Sequence, residues 1–475
     1  MLCQPWVNGE EQTTSQDFNV HNPATGELVA RVGDSDVSHA QKAIDSASAQ
    51  LPLWRSTPAN ERAQYLEQWA NEIESHITDL AVILSSESGK CIGEAEGEIH
   101  HSVDALRWSA QSSLRLHGET LASPSTTQRN YTIKEAVGVV ACITPWNFPV
   151  ASILVKVSAA IAAGCTVIVK PSEETPLIAL ALAGLSHKAR MPAGVLHILP
   201  SNNPASIANE LTGHPAIKMI SFTGSTAVGK QLYASCGQSI KRVALELGGN
   251  APFIVFDDAD INKAVDDAIN ARFYNSGQIC VGANRFFIHE SIYHDFSTAL
   301  ANKVAKLTVG NPLEKTTNIG PMINQKAKHR LTQLVDDAKT HGAQVITPAR
   351  ALDKSSSFFA PTVLTHTTKA MRVYSEEIFG PIACLYSFTN ESDVIESAND
   401  TQAGLAAYVY SQNIARLIRM SEQLEAGVVG ANSTNIFSNN LPFGGIKQSG
   451  LGKEHGLGCL DEYVQTKSVC LNLND

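Results

Sequence analysis

The chain is poor in charge, in patterned cysteine and in long apolar runs, and each shortage closes off a class of protein. Only 17% of its 475 residues are charged, and the net charge is −10 with no Lys/Arg cluster. That balance argues against a nucleic-acid partner. Nine cysteines are too sparse for a disulfide scaffold, their number is odd, and none forms a CxxC pair of the zinc type; neither a disulfide framework nor a metal site is expected. The N-terminus, MLCQPWVNGEEQTT, lacks a basic start followed by an apolar run, so no signal peptide is read there. The longest apolar stretch, residues 150–169, is interrupted by Lys156 and is rich in small residues, unlike a membrane span. The expectation is a soluble cytoplasmic protein with neither a membrane nor a nucleic-acid partner.

What is present is a hydrophobic content of 43% over a length that suits two or three domains. Residues 7–32 alternate and turn, as a short β start would. Val37, Ala40, Ile44, Ala47 and Leu51 recur at three and four, predicting a helix that Pro52 ends. A second helix is predicted from about Pro58, with Leu66, Ala70, Ile73 and Ile77 on one face, and helical patterning continues to about Leu116. SPSTTQ then breaks the pattern, and the alternating NYTIKEAVG reads as a projecting arm. Beyond it, β-branched runs at 137–144, 166–170, 194–199, 218–223 and 242–247 alternate with helical stretches, which requires crossovers and a parallel sheet covered on both faces. Ligands of such sheets lie at the carboxyl ends of the strands, and here those ends carry TPWNFP, KPSEETP, FTGST and ELGGN. A second β/α series follows through PFIVF, RFFIHE, a strand near Ala383 and VVGAN. The ending EYVQTKSVCLNL alternates as a strand able to pair with another subunit.

Within this frame the stretch RFYNSGQICVGANR offers Cys280 after a Gly-containing turn, and VALELGGN offers Glu246 beside Gly248 and Gly249. A thiol nucleophile with a carboxylate able to activate water suits acyl chemistry. A lone cysteine is more often a small buried hydrophobe, and a strand-end glutamate more often a solvated charge; the combination tips both toward catalysis. Asn147 can donate its amide to an oxyanion, or cap the helix that follows. Gly224 and Gly229 open a helix after a strand and can admit a pyrophosphate. Lys170 and Glu173 can hold ribose hydroxyls or simply pair with each other. Glu377 and Phe379 lie in a loop before Gly380 and Pro381, where a second ribose and a flat nicotinamide can be met, or where a bare turn sits.

Together TPWNFP, VKPSEETP, FTGST, LELGGNAPFIVFDDAD, SGQICVGANR, EEIFGP and PFGGIKQSGLGKE make the chain resemble, end to end, the NAD(P)-dependent aldehyde dehydrogenase superfamily. Within it the chain looks most like the succinate-semialdehyde dehydrogenase branch. The resemblance implies an α/β fold: a doubly wound parallel-sheet cofactor domain (1–118 and 137–246), an α/β catalytic domain (247–445) and a β oligomerisation arm (119–136 and 446–475) building a homodimer or homotetramer. It implies that Cys280 attacks a small-molecule aldehyde, that Asn147 stabilises the oxyanion, that Glu246 activates the water hydrolysing the thioester, and that Glu454 relays protons. It places Trp146, Lys170, Glu173, Gly224, Ser225, Gly229, Glu377 and Phe379 around the cofactor. Glu173 would accept from the 2′-OH of NAD and repel the phosphate of NADP, so NAD is the expected cofactor, with NADP as the alternative.

The chain also departs from that branch. Two arginines that typically hold the substrate carboxylate are replaced by Val155 and Tyr274, and Phe437 stands where a small polar residue is usual. An aromatic and aliphatic pocket binds an anion poorly, so a less charged aldehyde competes with succinate semialdehyde as the expected substrate. Gly282 replaces a cysteine common in relatives, removing a disulfide switch beside the nucleophile. Two other activities compete: a CoA-acylating semialdehyde dehydrogenase, which typically lacks the glutamate present here at 246, and a cofactor-free cysteine esterase or thioesterase, which leaves the strand-end motifs without a purpose.

Overall fold

The computed structural model describes residues 2–347 and 356–473. The five β-branched runs become Val139–Ile143, Thr166–Lys170, Leu196–Ile198, Ile217–Thr223 and Arg242–Glu246, all parallel. Short antiparallel strands extend the sheet at both edges: Gly450–Leu451 beside Arg242–Glu246, and Trp6–Val7 then Glu10–Glu11 beyond Leu196–Ile198. The three innermost strands are buried along almost their whole length, which is why their sequences read as continuous apolar runs. Chain order reverses between Val139–Ile143 and Ile217–Thr223. The register sets Ile143 beside Phe222 and Lys170, and Thr223 beside Glu246, so these side chains share one carboxyl edge. The crevice at such a reversal is where an open α/β sheet takes its ligand.

A second sheet runs Gln344–Val345, Thr362–Thr365, Ile382–Phe388, Ala283–His289, Ala251–Val255, Ala406–Tyr410 and Val428–Ala431, parallel except at its first pair. Gln128–Ala136 and Val464–Asn472 form a long antiparallel ribbon joined by Thr120–Leu121. Within the C-terminal segment, Ile446–Lys447 pairs with Ala403–Gly404, and Gly450–Leu451 joins the first sheet next to Glu246. Gly450 has φ 155°, and a Cβ there would strike the Leu245 carbonyl, so only glycine lets this strand close on the glutamate. Of the expected domain bounds, residues 1 and 475, with 348–355 inside the second domain, lie outside the described residues.

Pro52 does not end the first helix, which runs Val37–Ser56 with the proline inside. An interior proline costs about 3 kcal/mol, but Trp54 beyond it is fully buried and its indole N–H donates to the Ile161 carbonyl at 3.1 Å. Burying a tryptophan contributes about 3–5 kcal/mol, enough to carry the helix through. The next helix, Ala59–Ser75, buries Leu66, Ala70 and Ile73 as its spacing predicts, whereas Ile77 opens a separate helix, Ile77–Ser88. Among the described residues no helix is long and apolar enough to cross a membrane.

Candidate active site

Helix Ile261–Phe273 ends in a tight turn, Tyr274–Gly277, in which three successive residues are left-handed: Asn275 (φ 49°), Ser276 (φ 53°) and Gly277 (φ 74°). For the two that are not glycine this costs about 1–3 kcal/mol each, and the surroundings hold them there. The Asn275 N–H donates to Glu94 Oε1 at 3.0 Å, its side-chain amide donates to the Asn147 carbonyl at 3.0 Å, and Ser276 Oγ donates to the Gly320 carbonyl at 3.0 Å. The fully buried Arg272 guanidinium donates to the carbonyls of Gly277 and Ala283 and, at 2.7 Å, to Asn284 Oδ1. Cys280 emerges three residues after this turn, half-buried. Its backbone is pressed against Gly249, where a Cβ would strike the Cys280 carbonyl, while Gly248 makes the same room for the Glu377 carboxylate. The glycine pair thus admits protein groups into the site.

Burial, the Glu246 carboxylate and then the Glu377 carboxylate push the Cys280 thiol up to about 12. Glu246, the last residue of its strand, is itself buried, and its Oε2 has no hydrogen-bond partner among the described residues. Burial first, and then the Glu454 carboxylate, hold its pKa well above the usual carboxylate range, against the opposing pull of Lys156 and Lys453. Glu454 reaches the site from the C-terminal segment and pairs with the buried Lys156. The Glu246 carboxylate therefore opposes ionisation of the Cys280 thiol, and the Glu454 carboxylate opposes ionisation of Glu246.

Asn147 does not cap the helix Pro149–Ala163. Its side-chain amide donates to the Gln278 carbonyl at 3.1 Å, and Glu98 caps the helix instead, accepting from the N–H groups of Val150 at 2.9 Å and Ala151 at 3.1 Å. An amide NH₂ has two hydrogens, so one is left over from the bond to Gln278.

The residues expected around a cofactor gather at the carboxyl edge of the first sheet and across from it. Lys170 is buried and donates to Glu173 Oε2 at 3.0 Å, so the simple ion pair is present. Ser225 caps helix Thr226–Gly237 by accepting from the Val228 N–H at 3.4 Å. Gly224 gives room to the Phe222 ring and Gly229 to Leu247, so both serve packing behind the helix start. Trp146 meets Phe379 edge-on at 5.5 Å, and Phe379 is held at φ 51°. Glu377 Oε1 accepts from the Gly249 N–H at 3.0 Å, and burial raises its pKa to about 7. Thr144, at the chain reversal, keeps a buried hydroxyl with no partner among the described residues. A crevice lined by an orphaned hydroxyl, a helix start and a buried lysine fits a dinucleotide.

Of the three expected pocket residues, Tyr274 stacks on Phe148 (6.2 Å, 14°) and Phe437 packs on Phe443 (4.9 Å, 36°). Val155 is half-buried on helix Pro149–Ala163. Tyr274, Phe148, Cys280 and Phe443 belong to a single apolar cluster. Sequence reading passed over Lys90, Glu94, Glu98, Arg272 and Asn275. The last two lie inside the very stretch that flagged Cys280, but nothing in a single sequence distinguishes an inward-facing polar side chain from a solvated one.

Two parallel sheets closing on a thiol, an amide and a buried carboxylate define a doubly wound α/β protein with a site at the joint. The profile of the Aldehyde dehydrogenase family matches residues 6–469. The chain is 44% identical over 467 residues to a "Probable succinate-semialdehyde dehydrogenase [NADP(+)]" of Sinorhizobium fredii, covering 98% of this chain and 94% of the relative. It is 42% identical to a glutarate-semialdehyde dehydrogenase of Pseudomonas putida, covering 99% and 98%. The crystal structure of an aldehyde dehydrogenase from Brucella melitensis biovar abortus superposes with a TM-score of 0.97 at 44% identity, covering 99% and 98%. The chain belongs to the aldehyde dehydrogenase family and is an oxidoreductase of that class.

Proposed function

We propose that the protein oxidises a weakly charged aldehyde to its carboxylic acid through a thioester on Cys280. What supports this reading is the meeting of Cys280, Asn147 and Glu246 at the joint of the two sheets, with Gly249 against the nucleophile's own backbone. Cys280 adds to the aldehyde carbon to give a thiohemiacetal. Asn147 donates to the developing oxyanion, an interaction worth roughly 3–4 kcal/mol elsewhere. A bound nicotinamide dinucleotide supplies the hydride acceptor, and Thr144, Lys170, Glu173 and Ser225 would hold it. Glu246 then takes a proton from the water that hydrolyses the thioester, and the pair Glu454 and Lys156 stands next in line for that proton. The elevated pKa of Glu246 suits a group that must both accept and release a proton.

The substrate assignment rests on Val155, on Tyr274 stacked over Phe148, and on Phe437. Lys90, a cation beside this cluster, lies 3.8 Å from the Phe148 ring centre and is already paired with Glu98. The relatives above are named for semialdehydes that carry an acid group, and the comparison is made directly by initial-rate formation of reduced cofactor with succinate semialdehyde, glutarate semialdehyde, short aliphatic aldehydes and benzaldehyde. Uncharged aldehydes are expected to give the higher kcat/KM. If succinate semialdehyde leads, another group holds its carboxylate. Cys280→Ala is expected to abolish turnover in a folded protein, and added CoA is expected to leave the product a free acid.

On the cofactor, the Glu173 carboxylate disfavours a 2′-phosphate, so NAD is assigned over NADP, whereas the Sinorhizobium relative is named for NADP(+). A kcat/KM ratio favouring NADP would remove that assignment. The ribbon of Gln128–Ala136 and Val464–Asn472 is assigned to subunit contact in a homodimer or homotetramer.

A further inference from the structure

Glu94 and Glu98 stand four residues apart on helix Ile92–Ser113, and Lys90 lies just before it. All three turn toward the site without reaching the reacting atoms. Glu94 Oε1 accepts the Asn275 N–H at 3.0 Å, on the loop that leads to Cys280. Lys90 Nζ donates to the Asn147 carbonyl at 2.8 Å and pairs with Glu98, which caps the helix that follows Asn147. The stretch 90–98 therefore grips the segment bearing the oxyanion donor with one hand and the segment bearing the nucleophile with the other. Those segments leave different sheets and meet through two direct hydrogen bonds, Asn147 to the Gln278 carbonyl and Asn275 to the Asn147 carbonyl.

Stability alone is a poor reason for such an arrangement. The side chains of Lys90 and Glu98 are 0% and 1% exposed, and a buried ion pair generally stabilises no better than apolar residues of similar size. Glu94 has its second oxygen, Oε2, buried without a partner among the described residues. A left-handed pair, Asn275 and Ser276, persists only where the surroundings over-determine it, and the Glu94 hydrogen bond falls on the first residue of that pair.

We propose that Glu94 is a positioning residue, fixing the Cys280 loop against Asn147, with Lys90 and Glu98 holding the opposite side of the same joint. This rests on the roles given above to Cys280 and Asn147. The hydrogen-bond acceptor does the work, so Glu94→Gln keeps the function and Glu94→Ala loses it.

The test compares full-length Glu94→Ala and Glu94→Gln for kcat, KM, NAD affinity and Tm, with Cys280→Ala and Asn147→Ala prepared alongside. A misplacement of about 1 Å in a reacting group costs roughly 100-fold in rate. Glu94→Ala is expected to lower kcat by roughly 10- to 100-fold, with NAD affinity and Tm near wild type and with Glu94→Gln restoring most of the rate. The proposal is overturned if Glu94→Ala keeps kcat within about twofold, if Glu94→Gln is as slow as Glu94→Ala, or if NAD affinity and Tm fall with the rate. Should Glu94→Ala fail to fold, Lys90→Met with Glu98→Gln removes both buried charges at similar volume and carries the same expectation and the same twofold limit. If Cys280→Ala or Asn147→Ala remains active, the reading of the site itself fails; if both are inactive and Glu94→Ala is not, only the positioning role fails.

Discussion

The proposed nucleophile, Cys280, is held in its unreactive form by burial and by the carboxylates around it. Cys280 must attack as a thiolate, but burial and the carboxylates of Glu246 and Glu377 push its pKa to about 12. Neutralising one neighbour should therefore move two properties in opposite directions. In Glu246→Gln the thiol pKa falls, so alkylation of Cys280 by iodoacetamide at pH 8, followed by mass spectrometry, is expected to run faster than in wild type. Turnover is expected to drop by roughly 10²- to 10⁴-fold, the usual worth of a general base. The pH dependence follows with its sign: Glu246 accepts a proton only when ionised and its pKa lies well above the usual carboxylate range, so wild-type hydrolysis rises with pH through that raised value. Glu246→Gln should lose this ascending limb. Equal alkylation rates in the two proteins would show that the carboxylate does not face the thiol.

Elements are positioned by features of very unequal visibility in the sequence. Asp36 caps helix Val37–Ser56, its carboxylate accepting from the N–H groups of Ser38 at 2.9 Å and His39 at 3.1 Å. Asp36→Ala is expected to cost about 1 kcal/mol in urea unfolding at pH 7. Hydrogen bonds from Ser38 and His39 hold the folded carboxyl below its ordinary range. Its contribution is therefore complete above the unfolded value of about 3.9 and fades as pH falls through the lower folded value, so the two proteins should converge in acid. The five parallel strands of the first sheet were legible because buried parallel strands leave β-branched runs. Ala406–Tyr410 was not, because AAYVY opens on two alanines and carries hydroxyls that find partners only in the fold: Tyr408 on the Val281 carbonyl at 3.0 Å, Tyr410 on Asp267 at 2.8 Å. At the site, Cys280, Glu246 and Asn147 stood out through their company in specific motifs. Lys90, Glu94 and Glu98 stayed hidden, since only tertiary packing turns those charges inward.

At the scale of the whole molecule, the ribbon of Gln128–Ala136 and Val464–Asn472 is the part that one chain does not account for. Directly paired residues of an antiparallel ribbon point to the same side, and the register pairs Arg129 with Leu471, Tyr131 with Val469 and Ile133 with Lys467. Tyr131, Ile133 and Leu471 are 37%, 37% and 46% exposed on that shared side. Only the two-residue strand Thr120–Leu121 adds to these two, and the apolar row stays partly exposed among the described residues. The subunit contact proposed above would supply that cover. Tyr131→Glu with Ile133→Glu places two charges on that side without touching the active site, so sedimentation velocity is expected to show a shift toward monomer. If the double variant sediments as wild type does, the subunits meet elsewhere and the apolar row needs a different explanation. If it dissociates and the monomer still turns over, the site between the sheets is complete within one chain, as the hydrogen bonds among Asn147, Asn275 and Gln278 indicate.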